Sequence, residues 1–163
     1  MKIYVAGPFG FSEAGRAYYN QTLLPALAAA GFEPLDPWGL NNDPSQLAMI
    51  QAMPPGDERR AAYGRLNEQI GRNNTATIDR CDGVFAILDG VDVDSGTAAE
   101  IGYAFAMKKP IVGYRGDFRL SADNEGAIVN LQVEYFIRAS GGTIRRTLDD
   151  AIGALRALAI GNN

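Results

Sequence analysis

The sequence predicts an α/β fold, a three-layer sandwich around a central parallel sheet of about five strands. Short apolar strand segments alternate with helix-periodic segments along the whole chain, which builds a parallel sheet covered by helices on both faces. The strands close on Gly, Pro or Asp turns, which punctuate such units. A length of 163 residues, 47% hydrophobic and 21% charged, suits a single globular domain over residues 1–163.

Residues 2–7 read as the first strand, running into Gly7-Pro8-Phe9-Gly10. Ser12 caps a helix whose Tyr19, Leu23, Leu27 and Ala30 keep helical spacing, and Gly31 stops it. Residues 32–35 form a second strand closing on Asp36-Pro37-Trp38-Gly39. Residues 40–56 are polar and broken by Pro44, Pro54 and Pro55, with a short helix over 46–52; long connections of this kind often bind or cover a ligand. Residues 57–80 are strongly helical, with Tyr63, Leu66, Ile70 and Ile78 on one stripe. The third strand, residues 83–88, is followed by the acidic loop 89–93 and a helix from Thr97 to about Met107. Residues 110–114 give a fourth strand and 115–125 a polar loop. A short helix over 128–137, a strand at 143–145 and a final helix capped by Thr147-x-x-Asp150 complete the order. Crossovers in such a sheet are right-handed. The carboxyl ends of the main strands therefore meet along one edge, where a small-molecule pocket is expected. The fold type is flavodoxin-like or Rossmann-like.

Composition removes several classes of function. A net charge of −4 argues against a nucleic-acid surface, which needs clustered Lys and Arg. No apolar run reaches the ~18 residues of a membrane span, and the N-terminal residues enter a strand rather than a signal peptide. The expected location is cytoplasmic. The single cysteine, Cys81, excludes an internal disulfide and a thiolate zinc cluster, and reads as a small core residue. There is no histidine, which removes Ser-His-Asp and Cys-His catalysis and histidine metal sites together. Chemistry must run on carboxylates, Tyr, Lys or Arg, with no metal or cofactor expected.

The run Asp94-Ser95-Gly96-Thr97-Ala98-Ala99-Glu100 carries the most chemical information. Glu100 stands one turn into a helix, just beyond the carboxyl end of a buried strand, with a second carboxylate six positions upstream. Glycosyl transfer through a carboxylate nucleophile needs such a group on a cleft floor. The same letters also match a capping box, in which Glu100 would reach back to the Thr97 backbone. Asn74 falls on the buried stripe of its helix, where an amide needs partners, or it caps a second helix after a break. Tyr4 is either a core aromatic or a hydroxyl that tunes a carboxylate. Gly7 permits close backbone approach or a tight turn. Trp38, the only tryptophan, either stacks on a flat ring or is buried in a loop.

The combination Ile3-Tyr4-Val5-Ala6-Gly7-Pro8-Phe9, Ile78-Asp79-Arg80-Cys81-Asp82-Gly83, Asp94-Ser95-Gly96-Thr97-x-x-Glu100-Ile101-Gly102-Tyr103-Ala104, Lys109-Pro110 and Asn130-Leu131 resembles the nucleoside 2-deoxyribosyltransferases. The resemblance spans residues 1 to about 135. It implies exchange of the base on a 2′-deoxynucleoside against a free nucleobase, through a covalent deoxyribosyl-enzyme intermediate and with net retention. It places Glu100 on the nucleophile, Tyr4 on the tyrosine that hydrogen-bonds it, and Asp94 on an aspartate near the sugar 5′-hydroxyl. Gly7, Pro8, Phe9, Trp38, Asn74, Ser95 and Gly96 are the candidate substrate contacts. Asn130 matches an asparagine reaching into a neighbouring subunit's site, so the resemblance implies a homo-oligomer built from dimers, up to a hexamer.

Two positions depart from the family pattern. Many members carry an aspartate where this chain has Asn74, and Asn74 cannot donate an acid proton; Asp94, Asp92 or a bound water then has to protonate the leaving base. Gln132 replaces a usual methionine. A nucleoside 5′-monophosphate N-glycosidase, using Ser95 and the Gly7–Gly10 loop around a phosphate, is the alternative enzyme. A non-enzymatic flavodoxin-like binding domain is the third reading.

Overall fold

The computed structural model describes residues 1–41 and 43–161. Its centre is a five-stranded, all-parallel sheet in the order β2-β1-β3-β4-β5. The strands are β1 (Lys2–Ala6), β2 (Glu33–Leu35), β3 (Gly83–Ile87), β4 (Ile111–Tyr114) and β5 (Ile144–Arg145). The predicted strand count and direction hold, and β3 ends one residue earlier than expected.

Side chains alternate across each strand, so the odd and even positions of β1 enter different cores. Tyr4 and Ala6 join Val84, Ala86, Ile101 and Ala104 on one face. That face is covered by α5 (Asp57–Arg80), α6 (Ser95–Ala106) and α7 (Leu131–Ala139). Ile3 and Val5 join Phe85 and Ile87 on the other, beneath α1 (Glu13–Tyr18), α2 (Leu24–Ala29) and α8 (Leu148–Gly161). Register pairs Tyr4 with Val84 and Ala6 with Ala86. The face carrying Tyr4 is therefore the face onto which α6 packs.

The chain runs from β1 to β2 on one side and then crosses back to β3 on the other side of β1, and the crevice at this reversal is where open sheets bind ligands. Helices α1 and α2 are joined by a π turn, Tyr19–Leu23, just ahead of Pro25, whose ring and missing N–H do not fit an unbroken α-helix. Beyond β2, Asp36 caps a short helix, α3 (Pro37–Leu40), its carboxylate accepting from Trp38 and Gly39 N–H at 2.9 and 3.0 Å. A turn was expected there. The helix expected inside residues 40–56 is α4 (Pro44–Ala52), which starts two residues early on the Asp43 cap.

Helix α5 runs without a break through Asn73-Asn74-Thr75. Asn74 thus stays on the stripe and does not cap a second helix. Helix α7 begins three residues later than predicted because Asn130 caps it, Oδ1 accepting from Gln132 and Val133 N–H. Cys81 is buried, as a small core residue should be. No helix among the described residues is long and apolar enough to cross a membrane.

Candidate active site

A cleft of about 410 Å³ opens at the carboxyl edge of β1 and β3. Glu100 with Asn74, Gly7, Asp94, Gly96 and Thr97 forms its inner part, and Phe11, Pro37, Trp38, Asn41 and Ile70 complete the lining. Carboxylates and amides thus share the cleft with the aromatic pair Phe11 and Trp38. That combination suits a sugar carrying a heterocycle.

Glu100 is half-buried, and both of its hydrogen bonds arrive on one oxygen. Its Oε1 accepts from Tyr4 Oη at 2.6 Å and from Asn74 Nδ2 at 3.2 Å. Oε2 takes no bond from any described residue. Burial raises the Glu100 pKa from 4.5 to about 7, helped by the nearby Asp94 charge and opposed by the Tyr4 hydrogen bond. The Tyr4 hydroxyl is pushed far above its usual range by burial and by the carboxylate beside it, so it remains a donor.

The capping-box expectation for Glu100 is overturned. Helix α6 starts at Ser95 and Asp94 is its cap, with Oδ2 accepting from Thr97 N–H at 3.0 Å and Thr97 Oγ1 at 3.2 Å. Thr97 lies inside the helix and is buried. With the Thr97 N–H met by Asp94, Glu100 does not cap the helix, and its carboxylate meets Tyr4 on β1. Asp94 lines the cleft, and its Oδ1 takes no bond from a described residue.

The loop between β3 and α6 is tied down by Arg115, which the sequence places at the start of a polar loop. Arg115 is fully buried. Its guanidinium donates to the carbonyls of Leu88, Gly90 and Arg119, pinning the segment that leads to Asp94. Burial at a strand end was its only readable signal, since Arg115 directly follows β4.

Trp38 lies across the outer cleft. Its Nε1 donates to the Gly7 carbonyl at 3.3 Å, and Phe11 meets its ring edge-on at 4.7 Å between centroids. Gly10 makes this possible, because a Cβ there would come within 2.1 Å of the indole. Gly7 is equally constrained, since its Cβ would fall 2.6 Å from Ile87 Cβ.

Of the sequence-predicted residues, Glu100, Tyr4, Asp94, Gly7, Trp38, Asn74 and Gly96 come together at the cleft. Pro8 and Phe9 form a 3-10 turn behind it, with Phe9 edge-on to Tyr18 at 5.7 Å. Ser95 is exposed at the first position of α6 and does not line the cleft. Asn130 lies on the α7 cap, away from the cleft of its own chain. Phe11, Asn41 and Ile70 line the cleft unpredicted. Ile70 was visible as a stripe residue one turn before Asn74; Asn41 carried no sequence signal. Among the described residues no acidic, cysteine or histidine group is arranged to hold a metal ion.

Comparison with known proteins matches residues 3–132 to a family described as nucleoside 2-deoxyribosyltransferase. A conserved protein from Enterococcus faecalis V583 superposes with a TM-score of 0.71 at 25% identity, over 96% of this chain and 98% of that one. A 2-deoxyribosyltransferase from Leishmania mexicana shares the fold with a TM-score of 0.64 at 24% identity, over 93% and 94%. An uncharacterized protein of Schizosaccharomyces pombe is 28% identical over a match covering 58% of this chain and 60% of that protein. The chain thus spans about three fifths of the length of that curated relative.

Proposed function

This chain belongs to the nucleoside 2-deoxyribosyltransferase family, and from that premise we propose that it exchanges the base of 2′-deoxynucleosides for a free nucleobase. The observation that carries the proposal is the arrangement of Glu100. Both its donors hold Oε1, leaving Oε2 as the unengaged nucleophile at the inner end of a sugar-sized cleft.

In this reading Oε2 bonds to C1′ while the N-glycosidic bond breaks and its electron pair leaves with the base. A nitrogen of the second base then attacks C1′ from the vacated side, the ester bond breaks, and the carboxylate is restored with net retention. Lacking a 2′-hydroxyl, the sugar loses an electron-withdrawing group and reaches an oxocarbenium-like state more readily. Tyr4 and Asn74 hold the carboxylate, Asp94 Oδ1 receives the 5′-hydroxyl, and Trp38 with Phe11 stacks the base. Asn74 has no acid proton, and Asp92 is exposed outside the cleft lining, so protonation of the leaving base falls to Asp94 or water.

The cleft is lined by two carboxylates and by no Lys or Arg among the described residues. This supports a neutral nucleoside over a 5′-monophosphate, which such a surface would repel. The family resemblance also carries an oligomer in which Asn130 serves a neighbouring site. Incubation of a deoxynucleoside with adenine, cytosine or hypoxanthine, followed by chromatography, tests the proposal. A new deoxynucleoside is expected with the native chain and none with Glu100→Ala; turnover by a folded Glu100→Ala protein would overturn the nucleophile.

A further inference from the structure

Asn41 closes α3 as its C-cap, and its side chain settles the orientation of another. Asn41 Nδ2 lies 2.8 Å from the Pro37 carbonyl oxygen and 2.8 Å from Asn74 Oδ1. A backbone carbonyl only accepts, so the Asn41 atom facing it is the amide nitrogen. The Asn74 atom meeting that same nitrogen must then be oxygen. This turns the Asn74 N–H groups toward Glu100, 3.2 Å away. Asn41 Oδ1 accepts from Asn73 Nδ2 at 2.9 Å, which fixes the other end.

Donation thus starts at the Asn41 amide nitrogen, which gives one N–H back to the Pro37 carbonyl and one forward to Asn74, whose own N–H reaches the carboxylate. Were Asn74 turned over, its carbonyl would face Glu100 Oε1, acceptor against acceptor, and the bond to Asn41 would be lost as well.

From this geometry we propose that Asn41 is a positioning residue, which locks the Asn74 amide with its N–H toward Glu100 and so favours the charged carboxylate. The remaining titratable groups around Glu100 are Tyr4 from β1 and Asp94 at the head of α6, with Tyr19 and Asp36 behind them. None of these hydrogen-bonds to Asn41 or Asn74 among the described residues. Helix α3 is anchored independently at its other end, where Tyr19 Oη donates to the capping Asp36 carboxylate at 2.8 Å. Loss of Asn41 therefore frees Asn74 without unseating the helix.

The role of the charged carboxylate rests on the transferase reading, but the lock can be measured without turnover. In protein carrying carbon-13 at the glutamate carboxyls, the Glu100 resonance is the one missing from Glu100→Gln. Its titration midpoint, near 7 in the native chain, is expected to rise by roughly one pH unit in Asn41→Ala. Asn74→Ala should give a similar rise, and the double variant no more than either alone. An unmoved midpoint in Asn41→Ala, or rises that add in the double variant, would overturn the proposal. Should Asn41→Ala fail to fold, the near-isosteric Asn41→Asp replaces it, measured with and without Asn74→Ala so that its added charge cancels. Midpoints that move as expected in a protein without base exchange would sink the transferase reading and leave the lock standing.

Discussion

Tyr4 Oη and Glu100 Oε1 stand 2.6 Å apart, joining the middle of β1 to the second turn of α6 across 96 positions of sequence. Two unrelated constraints create that contact. Strand parity sends Tyr4 to the face covered by α6, and the Asp94 cap starts α6 so that Glu100 falls opposite it. Tyr4→Phe removes the donor that lowers the Glu100 pKa and leaves the burial that raises it. The acid limb of base exchange should therefore move from about 7 upward by roughly one pH unit. Profiles of kcat/KM against pH check this, and an unshifted limb would contradict it.

Glu100 also links stability to pH. Its carboxyl holds a proton more tightly in the folded chain, at about 7, than at its ordinary 4.5. That preference favours folding fully below 4.5, and the advantage is lost as pH rises to about 7. Glu100→Gln keeps an acceptor for Tyr4 without the charge. Melting curves should show the two proteins alike near pH 4 and the variant several degrees more stable at pH 8.

Asn74→Asp should change which bases leave well. It places a second carboxyl about where Nδ2 now meets Glu100 Oε1 at 3.2 Å, and two carboxyls so close cannot both ionise easily. One keeps its proton and becomes a general acid. Exchange of bases that need protonation to depart is expected to rise roughly 10- to 100-fold relative to the others, measured by competing acceptor bases in one reaction.

Stacking at the outer cleft is tested by Trp38→Ala and Gly10→Ala. The first removes the indole, and the second displaces it, since the new Cβ would come within 2.1 Å of the ring. Loss of a stacked base is worth about 1–3 kcal/mol. KM for the nucleoside should rise roughly 10- to 100-fold in both, with a smaller change in kcat.

The proposed sharing of sites between subunits predicts complementation. Glu100→Ala and Asn130→Ala should each be inactive alone, and a mixture allowed to exchange subunits should recover part of the activity. Asn130→Ala also loses its cap on α7, a cost of about 1 kcal/mol, so folding is checked by melting before mixing.

The layered architecture was legible because it depends on periodicity. Alternating strand and helix patterns fixed the sheet, and the motif around Glu100 marked its functional edge. Local patterns misled where two residues competed for one backbone role. Thr97-x-x-Glu100 has the letters of a capping box, yet Asp94 satisfies the Thr97 N–H first. Asp36-Pro37-Trp38 reads as a turn until Tyr19, brought inward by the π turn, grips the Asp36 cap. The bonding roles of Arg115 and Asn41 were invisible for a different reason. Their partners are backbone carbonyls and side chains brought close by tertiary folding, 25 and 27 positions away for Gly90 and Leu88, and 33 for Asn74. No spacing rule reaches that far.

The chain's sole indole sits edge-on to Phe11 at the mouth of the cleft. Its fluorescence therefore comes from one place, the place where a heterocycle would lie. Emission quenched on adding nucleoside would report occupancy directly, label-free and without waiting for chemistry, even in a variant whose nucleophile has been removed.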